Sequence, residues 1–157
     1  MIASQIKTEP LERFTSVRAV VLNHNDLTDY GWEFVKKLLS RYCDREDAMS
    51  TPESLVESIK HDSHQLWLLI APGGDWAGAM VTEMSKYPNG KTALSVSACA
   101  TLDTELGKES FRDISDALES FARKNDVDVI RIEGRKGWGR LLPDYTEVSR
   151  TIVKVVE

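Results

Sequence analysis

The spacing of apolar residues predicts both helices and strands along this chain. Apolar side chains recur at helical spacing from Asp29 to Cys43 and from Lys108 to Lys124, so each segment is expected to form an amphipathic helix. A further helix should begin at Thr51-Pro52-Glu53, because a hydroxyl, a proline and an acid suit the first helical turn. Continuous or alternating apolar runs predict strands at residues 17–22, 66–71, 76–84, 91–100, 127–133 and 147–156.

Turn residues between the middle strands indicate how those strands pair. Pro72-Gly73-Gly74-Asp75 and Pro88-Asn89-Gly90 each separate two apolar runs, which predicts an antiparallel meander. A short helical stretch is expected around residues 140–142, where Pro143 would end it. A meander followed by helix and strand predicts an α/β (α+β) domain whose mixed, mostly antiparallel central sheet has helices on both faces. Residues 1–15 are expected to be a polar N-terminal arm, and residues 16–157 a single domain.

Composition excludes several classes of protein. With 157 residues, 41% apolar and 29% charged, the chain is typical of an ordered globular protein. Its net charge of −5 argues against a general nucleic-acid binder. The longest apolar stretch, Leu66 to Ala71, is far shorter than the roughly 20 residues of a membrane helix, and no secretory signal is visible. Cys43 and Cys99 lack Cys-x-x-Cys spacing, so both are expected to be reduced core thiols in the cytoplasm.

The last third of the chain carries a more specific pattern. The segments ALESFAR at residues 117–123 and VIRIEGRKGW at residues 129–138 resemble GNAT-like proteins of tailed bacteriophages. The order of elements from about Val17 to Val156 also resembles the GNAT fold of acyl-CoA N-acyltransferases. The resemblance implies GNAT-like architecture. Because short-tailed phages carry GNAT-like proteins inside the virion, it also implies a virion-associated or host-interacting protein in the host cytoplasm or packaged in the particle.

One loop departs from the pattern of GNAT enzymes. Those enzymes bind the diphosphate of acetyl-CoA with a glycine-rich loop after the central strand, whereas residues 101–108 here have one glycine, no arginine, and the acids Asp103 and Glu105. At roughly 6 Å and an effective dielectric constant near 20, each acid would oppose a diphosphate by about 2–3 kcal/mol. The same acids suit a helix N-terminus. The loop therefore favours a non-catalytic module with no cofactor.

The alternative hypothesis is a CoA-dependent enzyme that transfers an acetyl group to a primary amine through an atypical cofactor site. In that case the backbone amides after Cys99 and Ala100 would bind the phosphates of acetyl-CoA. The basic side chains of Arg131, Arg135 and Lys136 would assist them.

Two side chains are candidates for acid–base catalysis. Glu83 could deprotonate an amine, although a solvent-facing strand residue is the alternative. Tyr145 could act as the general acid, with a packed aromatic ring as the alternative. His61 and His64 are more typical of a helix C-terminus or a protein surface than of a zinc site, since no third ligand is apparent.

Candidate interaction residues lie near the C-terminus. Trp138 and Arg140 could contact a partner surface, or Trp138 could cap the sheet. The expected partner is a phage or host protein, including a virion component, and a homodimer could form through the last strand, residues 151–156.

Overall fold

The computed structural model describes residues 17–44, 50–102, 108–132, 144–146, 154 and 156. Its elements follow the predicted order in the described ranges. They are β1 (Arg18–Leu22), a 3-10 turn (His24–Asp26), α1 (Asp29–Cys43), α2 (Pro52–Lys60), β2 (Gln65–Ile70), β3 (Trp76–Lys86), β4 (Thr92–Thr101), α3 (Lys108–Lys124) and β5 (Val129–Ile132). The predicted arm at residues 1–15 and the short helix at residues 140–142 lie outside the described residues, as does nearly all of the predicted last strand.

The sheet confirms the predicted architecture. Its five strands lie in the order β1-β2-β3-β4-β5. Neighbouring strands are antiparallel except for β4 and β5, which are parallel. Gly74 and Gly90 adopt positive φ values of 91° and 83° in the two turns of the meander. Glycine reaches this region without steric cost, which explains why these turns contain it.

The two faces of the sheet are covered by different helices. In β2, Leu66 and Leu68 pack toward α1 and α2, while the alternate residues Trp67 and Leu69 pack toward α3. The helices on both faces are therefore confirmed. The predicted start of α2 is also confirmed, because Thr51 forms a reciprocal capping box there.

A β-bulge changes the facing of residues halfway along β4. Val81 pairs with Ala98 and Thr82 pairs with Val96, so Ser97 is an extra residue on β4. Leu94 and Val96 therefore pack on the α3 side of the sheet, whereas Ala98 packs on the side of α1 and α2.

The first residue of β5 lies on a face of the sheet that is open to solvent. Val129, an apolar residue of this strand, is 41% exposed. Ile130 and Ile132 pack toward α3, so alternation directs Val129 to the opposite face of the sheet.

In the described ranges, no helix combines the length and apolar character needed to cross a membrane.

Candidate functional site

A row of polar residues crosses the sheet on the face that carries α1 and α2. Glu83 of β3 pairs with Ser95 of β4, and Ser95 pairs with Arg131 of β5. Two residues before Glu83 on the same face, Val81 is fully buried in the core under α1 and α2. The face therefore changes from apolar to polar at Glu83, where a helix no longer has to be packed against it.

His64 extends this row to a fourth strand. Gln65 pairs with Thr82, which places His64 beside Glu83, and His64 Nε2 lies 3.2 Å from Glu83 Oε2. The His64 side chain is 19% exposed, so it is less exposed than a surface residue, although its backbone N–H donates to Ser58 O at the expected C-terminal end of α2. His61 is a surface residue, as expected, because its side chain is 74% exposed.

The serine before His64 orients the imidazole. Ser63 Oγ donates a hydrogen bond to Ser58 O at 2.9 Å and lies 3.2 Å from His64 Nδ1. A hydroxyl has one hydrogen to donate, so Ser63 Oγ accepts from Nδ1–H. The other ring nitrogen, Nε2, is the one nearest Glu83, and Oε1 of the carboxylate has no partner in the described part of the chain.

The polar row borders a cavity of about 150 Å³. Its lining combines a carboxylate, three serine hydroxyls, a phenol and a guanidinium, from Glu83, Ser85, Tyr87, Ser95, Ser97 and Arg131, with Val96 as the apolar member. This lining offers several hydrogen-bond donors and acceptors to a small polar molecule and little apolar surface.

Arg131 lies at the opposite end of the row from His64. Its guanidinium donates a hydrogen bond to the Tyr87 hydroxyl, and the guanidinium carbon lies 5.5 Å from the centre of the Tyr87 ring. Among the residues that the structure describes, no carboxylate lies within ion-pairing distance of Arg131. The cavity therefore has an anionic side at Glu83 and a cationic side at Arg131.

Cys99 and Ala100 lie farther along β4 than Arg131 does. Arg131 is level with Ser95, and the four residue steps from Ser95 to Cys99 span about 13 Å of strand. Desolvation raises the pKa of the Cys99 thiol to about 12, so the thiol stays protonated at neutral pH and is a poor nucleophile.

Tyr145 lies on the other side of the sheet from Glu83. Its hydroxyl is 3.1 Å from Ser115 Oγ of α3, the helix that covers the face opposite the polar row. Desolvation, and to a lesser extent nearby acids such as Glu119, raises the pKa of the phenol.

The remaining candidates fall outside the described ranges. They are Arg135, Lys136, Trp138 and Arg140, together with residues 103–107 of the acidic loop.

Comparison with known proteins gives a consistent result for the fold. No protein-family model and no curated protein matches the sequence. Among solved structures, a probable acetyltransferase matches with a TM-score of 0.65 and 13% identity, over 89% of this chain and 99% of that one. A GNAT family acetyltransferase of Staphylococcus aureus matches with a TM-score of 0.58 and 16% identity, over 90% and 100% of the two chains. A ribosomal-protein-alanine N-acetyltransferase from Brucella melitensis has a TM-score of 0.61 and 13% identity, over 90% and 100%.

This chain has the GNAT acetyltransferase fold. At such low identities the likeness establishes the GNAT fold alone. Nothing in the comparisons indicates a relationship to bacteriophages.

Glu83 and Arg131 were predicted separately from the sequence, and the fold brings them to one cavity. His64, Tyr87 and the serines of β4 were not predicted as members of a site. A signal for His64 was present, since the turn at residues 72–75 places the residue before β2 opposite Glu83.

Proposed function

We propose that this chain is an acyl-CoA-dependent N-acyltransferase in which Glu83 accepts the proton of a primary amine. The observation that carries the proposal is the contact between His64 and Glu83 at the wall of a polar cavity. An ordinary surface carboxylate needs neither a mostly buried imidazole at 3.2 Å nor a serine that orients that imidazole.

Each residue of the pair has a distinct role in this proposal. A primary amine is mostly protonated at neutral pH and must lose a proton before its nitrogen can attack a carbonyl group. Glu83 Oε2 faces His64, which leaves Oε1 to take that proton. His64 restricts the carboxylate through its contact at 3.2 Å, and Ser63 in turn holds His64.

The second half of β4 fits the arm of acyl-CoA. From Ala98 to Ala100 the side chains are small, and in the described ranges the pairs between β4 and β5 end at Val96 and Ile132. An amide-bearing ligand can hydrogen-bond to such a strand edge as an added strand does. When bound, acyl-CoA would supply a thioester carbonyl that an amine can attack. Ser97 belongs both to the bulge and to the cavity, so this edge and the base adjoin.

The acidic loop is the sequence argument against this proposal. Asp103 and Glu105 would repel a diphosphate, so Arg135 and Lys136 would bind the phosphate groups instead. The non-catalytic, virion-associated alternative from the sequence has no support in the comparisons. The binding of acetyl-CoA decides between the two functions.

The test is a thermal unfolding titration with acetyl-CoA, followed by an assay of thiol release with a panel of amines. At 1 mM ligand, a dissociation constant of 100 μM stabilises the folded protein by about 1.4 kcal/mol. We expect a rise of the midpoint temperature with acetyl-CoA and not with the same concentration of adenosine. Absence of both stabilisation and thiol release would reject the enzyme and favour the non-catalytic module.

A further inference from the structure

The charges of the cavity indicate what kind of amine it binds. Glu83 and Arg131 stand at opposite ends of the row through Ser95, with one strand between theirs. Strands lie about 4.8 Å apart, so the backbones that carry the two charges are about 10 Å apart. The side chains converge on one cavity, which leaves room for a small molecule between them.

Arg131 retains hydrogen-bonding capacity in this cavity. A guanidinium has five N–H donors in a planar fork, and in the described residues one of them is used, by the Tyr87 hydroxyl. The Tyr87 ring also supports the guanidinium from one side at 5.5 Å. A stacked guanidinium with unused donors is suited to hold a carboxylate or a phosphate.

Ser85, Ser95 and Ser97 add hydroxyl groups to the same lining. These hydroxyls can donate to an anion, and they add no charge of their own. The cavity thus offers an acceptor for a cation at Glu83 and donors for an anion at Arg131.

We propose that the acceptor substrate is a small amine that also carries a carboxylate or phosphate group, with the amine at Glu83 and the anionic group at Arg131. This inference rests on the proposed N-acyltransferase function for its catalytic consequence. The binding of the two charged ends does not depend on acyl-CoA.

The first test is thermal unfolding without acyl-CoA. The probes are ω-amino acids from glycine to 6-aminohexanoate, O-phosphoethanolamine, and alkylamines of matched length. We expect the best amino acid or the phosphoethanolamine to raise the midpoint temperature, and its matched alkylamine to leave it unchanged. Whichever probe acts identifies the anionic group as carboxylate or phosphate. Equal effects of the acids and the alkylamines, or no effect of any probe, would overturn the inference.

The second test measures thiol release with the same amines for the wild type and Arg131→Met. Charge-assisted hydrogen bonds to Arg131 should favour the amine that carries an anionic group over the alkylamine by about tenfold or more in kcat/KM. Arg131→Met should abolish that preference by raising KM for the amine that carries the anionic group, whereas Glu57→Gln, on the exposed face of α2, should leave the preference at its wild-type value. An equal loss with both classes of amine would overturn the specificity role. If Arg131→Met does not fold, Arg131→Lys replaces it, because a single ammonium cannot reproduce the planar fork.

The two proposals fail in different ways. If the amines that carry an anionic group stabilise the protein but none of them causes thiol release from acetyl-CoA, the enzyme is rejected and the binding site is supported. If thiol release shows no preference for amines with an anionic group, the enzyme is supported and the assignment of Arg131 is rejected.

Discussion

The carboxylate of Glu83 and the imidazole of His64 meet at 3.2 Å across neighbouring strands, in a position where both side chains are shielded in part from solvent. A second pair of the same kinds of residue, Glu57 and His61, lies one helical turn apart on α2 at 3.5 Å and is largely exposed. Of these two pairs in the described part of the chain, one lies at a cavity and the other at the surface. This contrast provides a matched control for the role of the carboxylate.

Glu83→Gln should lower kcat for acyl transfer by about 100-fold or more, because an amide cannot accept the proton of the amine. Acetyl-CoA binding should be unchanged, since the amide keeps the size of the side chain. Steady-state thiol release and thermal titration measure the two quantities. Glu57→Gln should leave both at wild-type values. Equal activity of Glu83→Gln and Glu57→Gln would show that Glu83 is not the base.

Thr82→Val should destabilise the fold by about 1–3 kcal/mol. Thr82 is fully buried, accepts a hydrogen bond from Trp67 Nε1 at 2.9 Å and donates one to Gln65 Oε1 at 2.9 Å. Valine keeps the shape but leaves the buried indole N–H without a partner. Urea unfolding measures the change, and Thr82→Ser, which keeps the hydroxyl, should cost less. A Thr82→Val protein as stable as the wild type would show that this chain of hydrogen bonds contributes little.

Gly78→Ala should destabilise the sheet by about 1–3 kcal/mol. A methyl group at Gly78 would lie 2.5 Å from the backbone oxygen of Ala100 on the neighbouring strand, so β3 and β4 would have to separate. Gly73→Ala is the control, since its methyl group would meet only Asp75 Oδ2, at 3.6 Å. We expect this control to stay within about 0.5 kcal/mol of the wild type in urea unfolding. Comparable losses in the two variants would contradict the steric argument.

The stability of the fold should fall on the alkaline side of neutrality, and Cys99 should be one cause. Its pKa is about 12 in the folded protein, whereas an unfolded thiol titrates near 8.5. The unfolded chain therefore loses this proton first. The contribution of the Cys99 thiol to the free energy of unfolding is fully present below the ordinary thiol pKa and is lost as the pH rises toward 12. Between pH 8 and 10 the loss should be on the order of 1 kcal/mol.

Cys99→Ala is the variant that isolates this contribution. Urea unfolding between pH 8 and 10 should show a flatter pH dependence for Cys99→Ala than for the wild type. Identical slopes would mean that other groups, such as the Tyr145 phenol with its raised pKa, account for the alkaline loss.

Local sequence signals were sufficient for most of the described fold. The helix from Asp29 to Cys43 and the long helix before β5 follow from apolar spacing alone, and the turns at Gly74 and Gly90 follow from glycine chemistry. The bulge at Ser97 could not be predicted in this way. The alternation of KTALSVSACA reads as one continuous strand, and the pairing with β3 that inserts an extra residue is a property of two strands together.

The site was harder to predict than the fold because it is assembled from distant segments. Glu83 and Arg131 were each apparent as charged residues on strands, yet their common face depends on the register of β3, β4 and β5. His64 was interpreted from its helix, where it follows the last turn, although its position is determined by the strand that it precedes. Residue type identified candidates, and register determined which of them meet.

The extra residue at Ser97 also bears on how the protein can be engineered. Because the strand changes its facing at a single position, adding or removing one residue there would exchange the inward and outward side chains of everything up to Thr101. The turn at Asn89 and Gly90 is exposed and connects β3 to β4, so a peptide inserted there should leave the strand pairs from Lys86 and Thr92 onward in register. An epitope or a fluorophore attached in that turn would lie close to the cavity, so it could report ligand binding there and leave the sheet intact.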